Sequence, residues 1–373
     1  MAQGKGVRQL SYFDCPGGGQ VVVVNDVAYI GHMNGPEGTS IVDVRDPYHP
    51  RRLAELRVPP GTQSHKVRVA NDVMLINWEA PPPFHLPPGF RGGLGIYDVS
   101  RPDQPRELAF WPAGGAGVHR FDFDGRYAYI SPEVEGYHGN IVMILDLGDP
   151  RRAEEVGRWW MPGQWVAGGE TPSWPGRLHR CHHSLRLGNR LYVSYLHGGF
   201  VILDIEDPTK PRWIAGLDWS PPYPHMLHTA LPIPFPVRGR RLLVAPDEDV
   251  LKLWPSPPAF LWLVDITDET RPMPIATFQV EGVDDSPQPE MTGCHQTAEQ
   301  VVLGTEIPVA WFSYGLRIVD IANPHAPREV ASFVPPVPPG ANRVLSNDVC
   351  VDPRGLLYLV DRQRGLHILE RVP

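Results

Sequence analysis

Cysteine is scarce, four in 373 residues. Cys15, Cys181, Cys294 and Cys350 lie far apart with no CxxC pair. That spacing excludes a zinc-ribbon or thioredoxin-like motif and reads as four free thiols. No apolar run approaches the roughly 18 residues a membrane helix needs. MAQGKGVRQLSYFD at the N-terminus lacks the apolar centre of a signal peptide. The expectation is a cytoplasmic chain with no membrane contact. There is no basic block, and the net charge is −8, which argues against nucleic acid as a partner. Helical periodicity nowhere lasts beyond a turn.

Proline and glycine are abundant instead, 44 and 37 residues, and they fall between short apolar runs. Many turns in a folded all-β chain is the reading that fits. One phrase recurs: SIVDVRDP from Ser40, GIYDVSRP from Gly95, MILDLGDP from Met143, VILDIEDP from Val201, WLVDITDE from Trp262 and RIVDIANP from Arg317, with HILERVP from His367 at the end. The matching acids are Asp43, Asp98, Asp146, Asp204, Asp265, Asp320 and Glu370. A period of 48 to 61 residues suits one four-stranded propeller blade. The second unit shows the strands: HKVRV (65–69), VMLIN (73–77), GLGIYDV (93–99) and RELAFW (106–111), with hairpin chemistry at Asn71-Asp72.

The seventh unit stops after its third strand. VRQLSYF (7–13) matches the fourth strands PRELAFW and PREVASF. The sequence therefore predicts a single domain over 1–373, an all-β seven-bladed β-propeller closed by the N-terminal strand, residues 7–13 completing the last blade. Such closure removes an exposed sheet edge. The recurring phrase resembles the LVIVD repeat, a propeller family named for its third-strand motif. The resemblance covers nearly the whole chain and implies architecture, not chemistry.

Aligning the units places a histidine at the start of the innermost strand in five consecutive blades: His65, His119, His182, His228 and His295. The first three stand twelve residues before Asn77, Ser131 and Ser194. Innermost strands of a propeller line its channel, so these imidazoles are predicted to converge. A divalent transition metal would stabilise them, iron first, with manganese, zinc, copper or nickel as alternatives. Alternation along a strand predicts that His183 points away and that Cys181 and Cys294 miss the metal. Gly19 or Gln20, and Asn347 or Asp348, hold the position in the other two blades, and His32 reads as a loop residue.

Glu79, Glu133 and Asp247 follow their second strands on the face expected to carry the histidines. Each is a candidate to orient a ligand histidine or to act as general base, ahead of Glu135, Glu248 and Glu290. Long loops at 78–92, 159–181, 217–227, 246–260 and 281–294 are rich in Trp, Tyr and Pro, including Trp78, Trp160, Trp165, Trp174, Trp219, Tyr223 and Trp254. They predict a loop-rich face where a small apolar or aromatic substrate enters. The all-histidine ring is similar in arrangement to the sites of carotenoid cleavage oxygenases and of the selenium-binding-protein and methanethiol-oxidase group. That likeness implies a mononuclear iron(II) oxidoreductase or oxygenase. The alternatives are a non-redox lyase, isomerase or hydrolase using the carboxylates, and a non-catalytic propeller that binds a protein.

Overall fold

The computed structural model describes residues 3–82, 84, 86, 88–174, 176–248, 258–283 and 291–372. Among them the chain is all-β, with one short 3-10 turn at Val166–Gly168. No described helix is long and apolar enough to cross a membrane. Six four-stranded antiparallel runs follow one another along the sequence and a seventh joins three C-terminal strands to one from the N-terminus, which is the seven-bladed propeller fold. In contact terms the chain forms two compact units. One comprises Met1–Ala28, Asp43–Arg51 and Pro221–Pro373, the other Tyr29–Val42 and Arg52–Ser220.

The second of these units shows how the repeat folds. Strands Val67–Ala70, Val73–Trp78, Gly93–Asp98 and Arg106–Pro112 pair in sequence order. Asn71 and Asp72 both adopt positive φ, 51° and 59°, the conformation that a two-residue hairpin between right-twisted strands requires. Third strands such as Val142–Asp146 are continuous apolar runs, because their blades are covered on both faces. Fourth strands are more exposed and carry the charge, as in Arg106–Pro112.

The acid ending each third strand has a structural task. Asp98 accepts the Ser100 backbone N–H at 3.0 Å and the Arg106 guanidinium at 2.8 Å. The same acid–arginine pair, eight residues apart, recurs as Asp43–Arg51 at 2.9 Å, Asp204–Arg212 at 2.8 Å and Asp320–Arg328 at 3.4 Å. These pairs pin the third-to-fourth turn and leave the repeat acid no part in chemistry.

In the other unit, strands Ser346–Val351, Leu356–Asp361 and Gly365–Arg371 are completed by Val7–Asp14. The register runs from Val7 opposite Arg371 to Asp14 opposite Gly365. Arg8 pairs with Glu370 and so takes the place that Arg106 takes beside Asp98. The predicted closure is therefore present down to its ion pair. Gln3–Lys5 goes further and pairs with Arg328–Val334, adding a fifth strand to the sixth sheet. Val7 is buried with Phe333, Leu359 and Leu369 in the adjoining core.

Candidate metal centre

The innermost strands do not pair regularly, and the irregularity aims the histidines. In the strand Gly114–Phe123, Val118 lies opposite Pro132 but Phe121 lies opposite Ile130, so His119 and Arg120 bulge against Ser131. The pairing of His179–Leu187 shifts likewise between His179 and His183. A bulge re-aims side chains and leaves backbone groups unpaired, and a polar residue on the second strand meets them. Asn77 Oδ1 accepts Lys66 N–H at 2.8 Å, and its amide donates to Val118 O at 3.0 Å. Ser131 Oγ accepts Arg120 N–H at 2.9 Å, its proton lying within reach of Arg120 O and His182 O. Ser194 Oγ accepts His183 N–H at 3.1 Å. Gly117 has φ +101°, and a Cβ there would lie 2.2 Å from Trp78 O. Only glycine permits that approach, which brings Glu79 alongside the strand.

Within this unit the rings of His65, His119 and His182 adjoin in succession, tilted to one another, with centroids 5.0 Å and 4.6 Å apart. His65, Glu79 and His119 each offer a ligand atom, all within 4.8 Å of one another. Glu79, 1% exposed, lies 2.6 Å from His119 Nδ1 and 3.7 Å from the Arg180 guanidinium. Burial pushes the Glu79 carboxyl up to about 8, against the opposing pull of Arg180 and Arg120. Burial, and after it His119, Arg120, His182 and Lys66, hold His65 well below the ordinary imidazole value. His65 is therefore a neutral imidazole, the form that ligates metals.

The other unit carries His228 and His295, ring centroids 4.2 Å apart. Their tautomers follow from their partners. Gln296 donates through Nε2 to Thr297 O and Glu299, so its Oε1 accepts the Thr229 hydroxyl at 2.8 Å. Thr229 Oγ1 is then the acceptor for His228 Nδ1–H at 2.9 Å. His295 Nδ1–H donates to Asn347 O at 2.5 Å. In a neutral ring with this bond, Nε2 is the unprotonated nitrogen. Glu248 Oε1 is 3.4 Å from His295 Nε2, and a Glu248 oxygen lies within 4.8 Å of a His228 ring nitrogen. Two imidazoles and a carboxylate come together here, a donor set of the kind that metal ions take. The buried His/Glu groups are able to bind metal.

Other predicted residues are placed elsewhere. Asp247 accepts Trp262 Nε1–H at 2.9 Å, and the neighbouring Glu248 faces His295. Glu133 accepts Ala116 N–H at 2.8 Å and lines a cavity of ≈460 Å³ with Gly114, Gly115, Glu135 and Tyr137. His183 meets Lys66 Nζ at 2.9 Å, both fully buried. His32 bonds Ser40 Oγ at 2.9 Å. The four cysteines are buried free thiols; burial raises Cys181 to about 12 and holds Cys294 well above its usual value, far from the thiolate form. Trp174 stacks on His179 at 4.5 Å, and Trp160 packs on Tyr137 and Trp165. Trp165 and Tyr223 keep 40% and 39% exposure. Glu290 and Trp254 lie outside the described residues. Arg362, Asn347 and Phe312 adjoin His295 and were not singled out as site residues in sequence, Asn347 having been noted only as a blade-position holder.

Seven such meanders define a β-propeller. The chain carries LVIVD repeats, matched at residues 187–215 and 307–334, which hold the phrases that begin at Val201 and Arg317. No curated protein matches it in sequence. Among solved structures it is similar to a chain of the mitotic checkpoint complex, with 12% identity, TM-score 0.63, and coverage of 99% of this chain and 95% of that one. The Saccharomyces cerevisiae protein Sqt1 aligns at 8% identity and TM-score 0.59, over 98% and 88%. The WD40 β-propeller domain of Doa1 aligns at 8% and 0.59, over 98% and 97%. At such identities the likeness shows the fold alone.

Proposed function

We propose that this propeller binds a divalent transition-metal ion through its buried imidazoles and, with iron(II) there, is an oxidoreductase acting on a small apolar or aromatic molecule. One observation carries the reading: His228 and His295 each hold Nδ1 against a fixed acceptor, and Glu248 lies 3.4 Å from His295 Nε2 and within 4.8 Å of a His228 ring nitrogen. Iron(II) supplies one-electron redox chemistry when bound. The chain's own part is orientation. Thr229 and Asn347 O fix the two tautomers, Glu79 holds His119, and the surrounding core excludes water. The carboxylates also bear on which metal is held, since the donor set is histidine with glutamate and no longer histidine alone.

Glu248 favours a second reading, a non-redox lyase, isomerase or hydrolase in which this carboxylate moves a substrate proton. Anaerobic titration of Fe(II) into chelator-treated protein tests the common premise. Calorimetry is expected to show binding that His295→Gln and His228→Gln weaken more than about tenfold, with the exposed His49→Ala variant unchanged. Equal binding in all variants, or none, overturns it. Turnover that persists without oxygen then selects the non-redox reading.

A further inference from the structure

We propose that Arg362 anchors the carboxylate of a small substrate beside His295 and Glu248. Arg362 follows the second strand of the last sheet, Leu356–Asp361. Its guanidinium is fixed on two sides. Nε donates to Asn347 Oδ1 at 2.6 Å, and the group lies 5.4 Å from the centroid of the Phe312 ring. Both supports belong to the histidine group. Asn347 O is the acceptor for His295 Nδ1–H, and the Phe312 ring lies 4.3 Å from that of His295. Phe312 is itself held at φ +35°, a backbone conformation a phenylalanine rarely adopts. One residue, Asn347, therefore sets both the imidazole tautomer and the direction of the arginine fork.

The two Nη groups, which form the outer prongs of that fork, make no hydrogen bond to protein among the described residues. The acids nearby are engaged elsewhere. Asp361 accepts the backbone N–H groups of Leu345, Gln363 and Arg364, and Glu248 faces His295 Nε2. Glu248 lies close enough to act on Arg362 through space, yet no ion pair joins them among the described residues. A part-buried guanidinium whose outer prongs meet no anion is open to an incoming oxyanion. A single planar fork, with an acid close by, suits a monoanionic carboxylate better than a phosphate dianion. The substrate class is then a small carboxylic acid, held by its carboxylate beside His295.

The assignment deepens the metal reading, but carboxylate binding at Arg362 needs no metal, so the two fail separately. The experiment uses the full chain after chelator treatment, with acetate, phenylacetate and benzoate as probes and phenylacetamide and benzamide as neutral isosteres. Calorimetry is expected to show that at least one carboxylate binds and its amide does not. Arg362→Gln is expected to weaken that binding about 10- to 100-fold, and Arg362→Lys, which keeps charge without the fork, to lie between. Arg91→Gln serves as a remote control and leaves binding unchanged. The proposal is overturned if no carboxylate binds, if acid and amide bind equally, or if affinity is unchanged in Arg362→Gln or Arg362→Lys. Binding that appears only with Fe(II) and survives Arg362→Gln places the carboxylate on the metal and likewise overturns it. Should Arg362→Gln fail to fold, the acid–amide difference and Arg362→Lys still decide.

Discussion

Ser131 shows how a single hydroxyl positions the candidate site. It takes the N–H of Arg120 and reaches the carbonyls on the His119–Arg120 bulge and at His182. Ser131→Ala leaves a buried N–H unsatisfied, which costs about 1–3 kcal/mol. The urea midpoint is expected to fall accordingly. A variant as stable as the parent would show that the bulge does not depend on this hydroxyl. His367 is a different case. It is 1% exposed, packs 5.0 Å from the Tyr12 ring on the N-terminal strand, and neither ring nitrogen has a hydrogen-bond partner among the described residues. Burial, with a smaller contribution from Arg364, lowers its pKa to about 4 from 6.5. The unfolded chain therefore takes up the proton first as pH falls. The stability tied to neutral His367 is full above about pH 6.5 and is lost progressively down to about pH 4. The shift corresponds to about 3 kcal/mol in all, of which about 2 kcal/mol is gone by pH 5. His367→Phe is expected to flatten this part of the pH dependence of the urea midpoint; an unchanged slope would assign it to other groups.

At the level of strands and turns, what was legible depended on whether a residue's task leaves a composition signal. The third strands did: a buried apolar run ending in an acid repeats along the chain, and in four blades that acid holds the arginine eight residues on. The N-terminal strand did too, since VRQLSYF carries the arginine that answers Glu370. Gln3–Lys5 did not, because three polar residues show no alternation. The bulges were hidden as well. Asn77, Ser131 and Ser194 marked their places at a constant twelve-residue spacing, but a bulge itself has no characteristic composition. Regular alternation consequently favoured Asp247 over Glu248, and one residue of phase decides which of the two faces His295. Arg362 was missed because an arginine in a turn has the appearance of any surface charge until Asn347 and Phe312 are seen to hold it. The inner strands of the fifth and sixth sheets are also only two residues long, Leu231–Pro232 and Gln296–Thr297, which explains why His228 and His295 fit the repeat less regularly.

For the molecule as a whole, closure and metal binding are the two claims that matter. Met1–Ala28 belongs to the same compact unit as Pro221–Pro373, and Val7–Asp14 covers the last strand of its sheet over its full length. Deleting residues 1–14 is expected to lower Tm by roughly 10 °C or more, since an outer strand and the buried Val7 are lost together. An unchanged Tm would contradict closure by this strand. The metal claim rests on elemental content in the native chain. Untagged protein, purified without chelator and analysed by inductively coupled plasma mass spectrometry, is expected to carry about one transition-metal ion per chain, iron foremost, with occupancy falling in His228→Ala and His295→Ala and retained in His49→Ala. Protein free of transition metal, or occupancy indifferent to His228 and His295, would contradict the account.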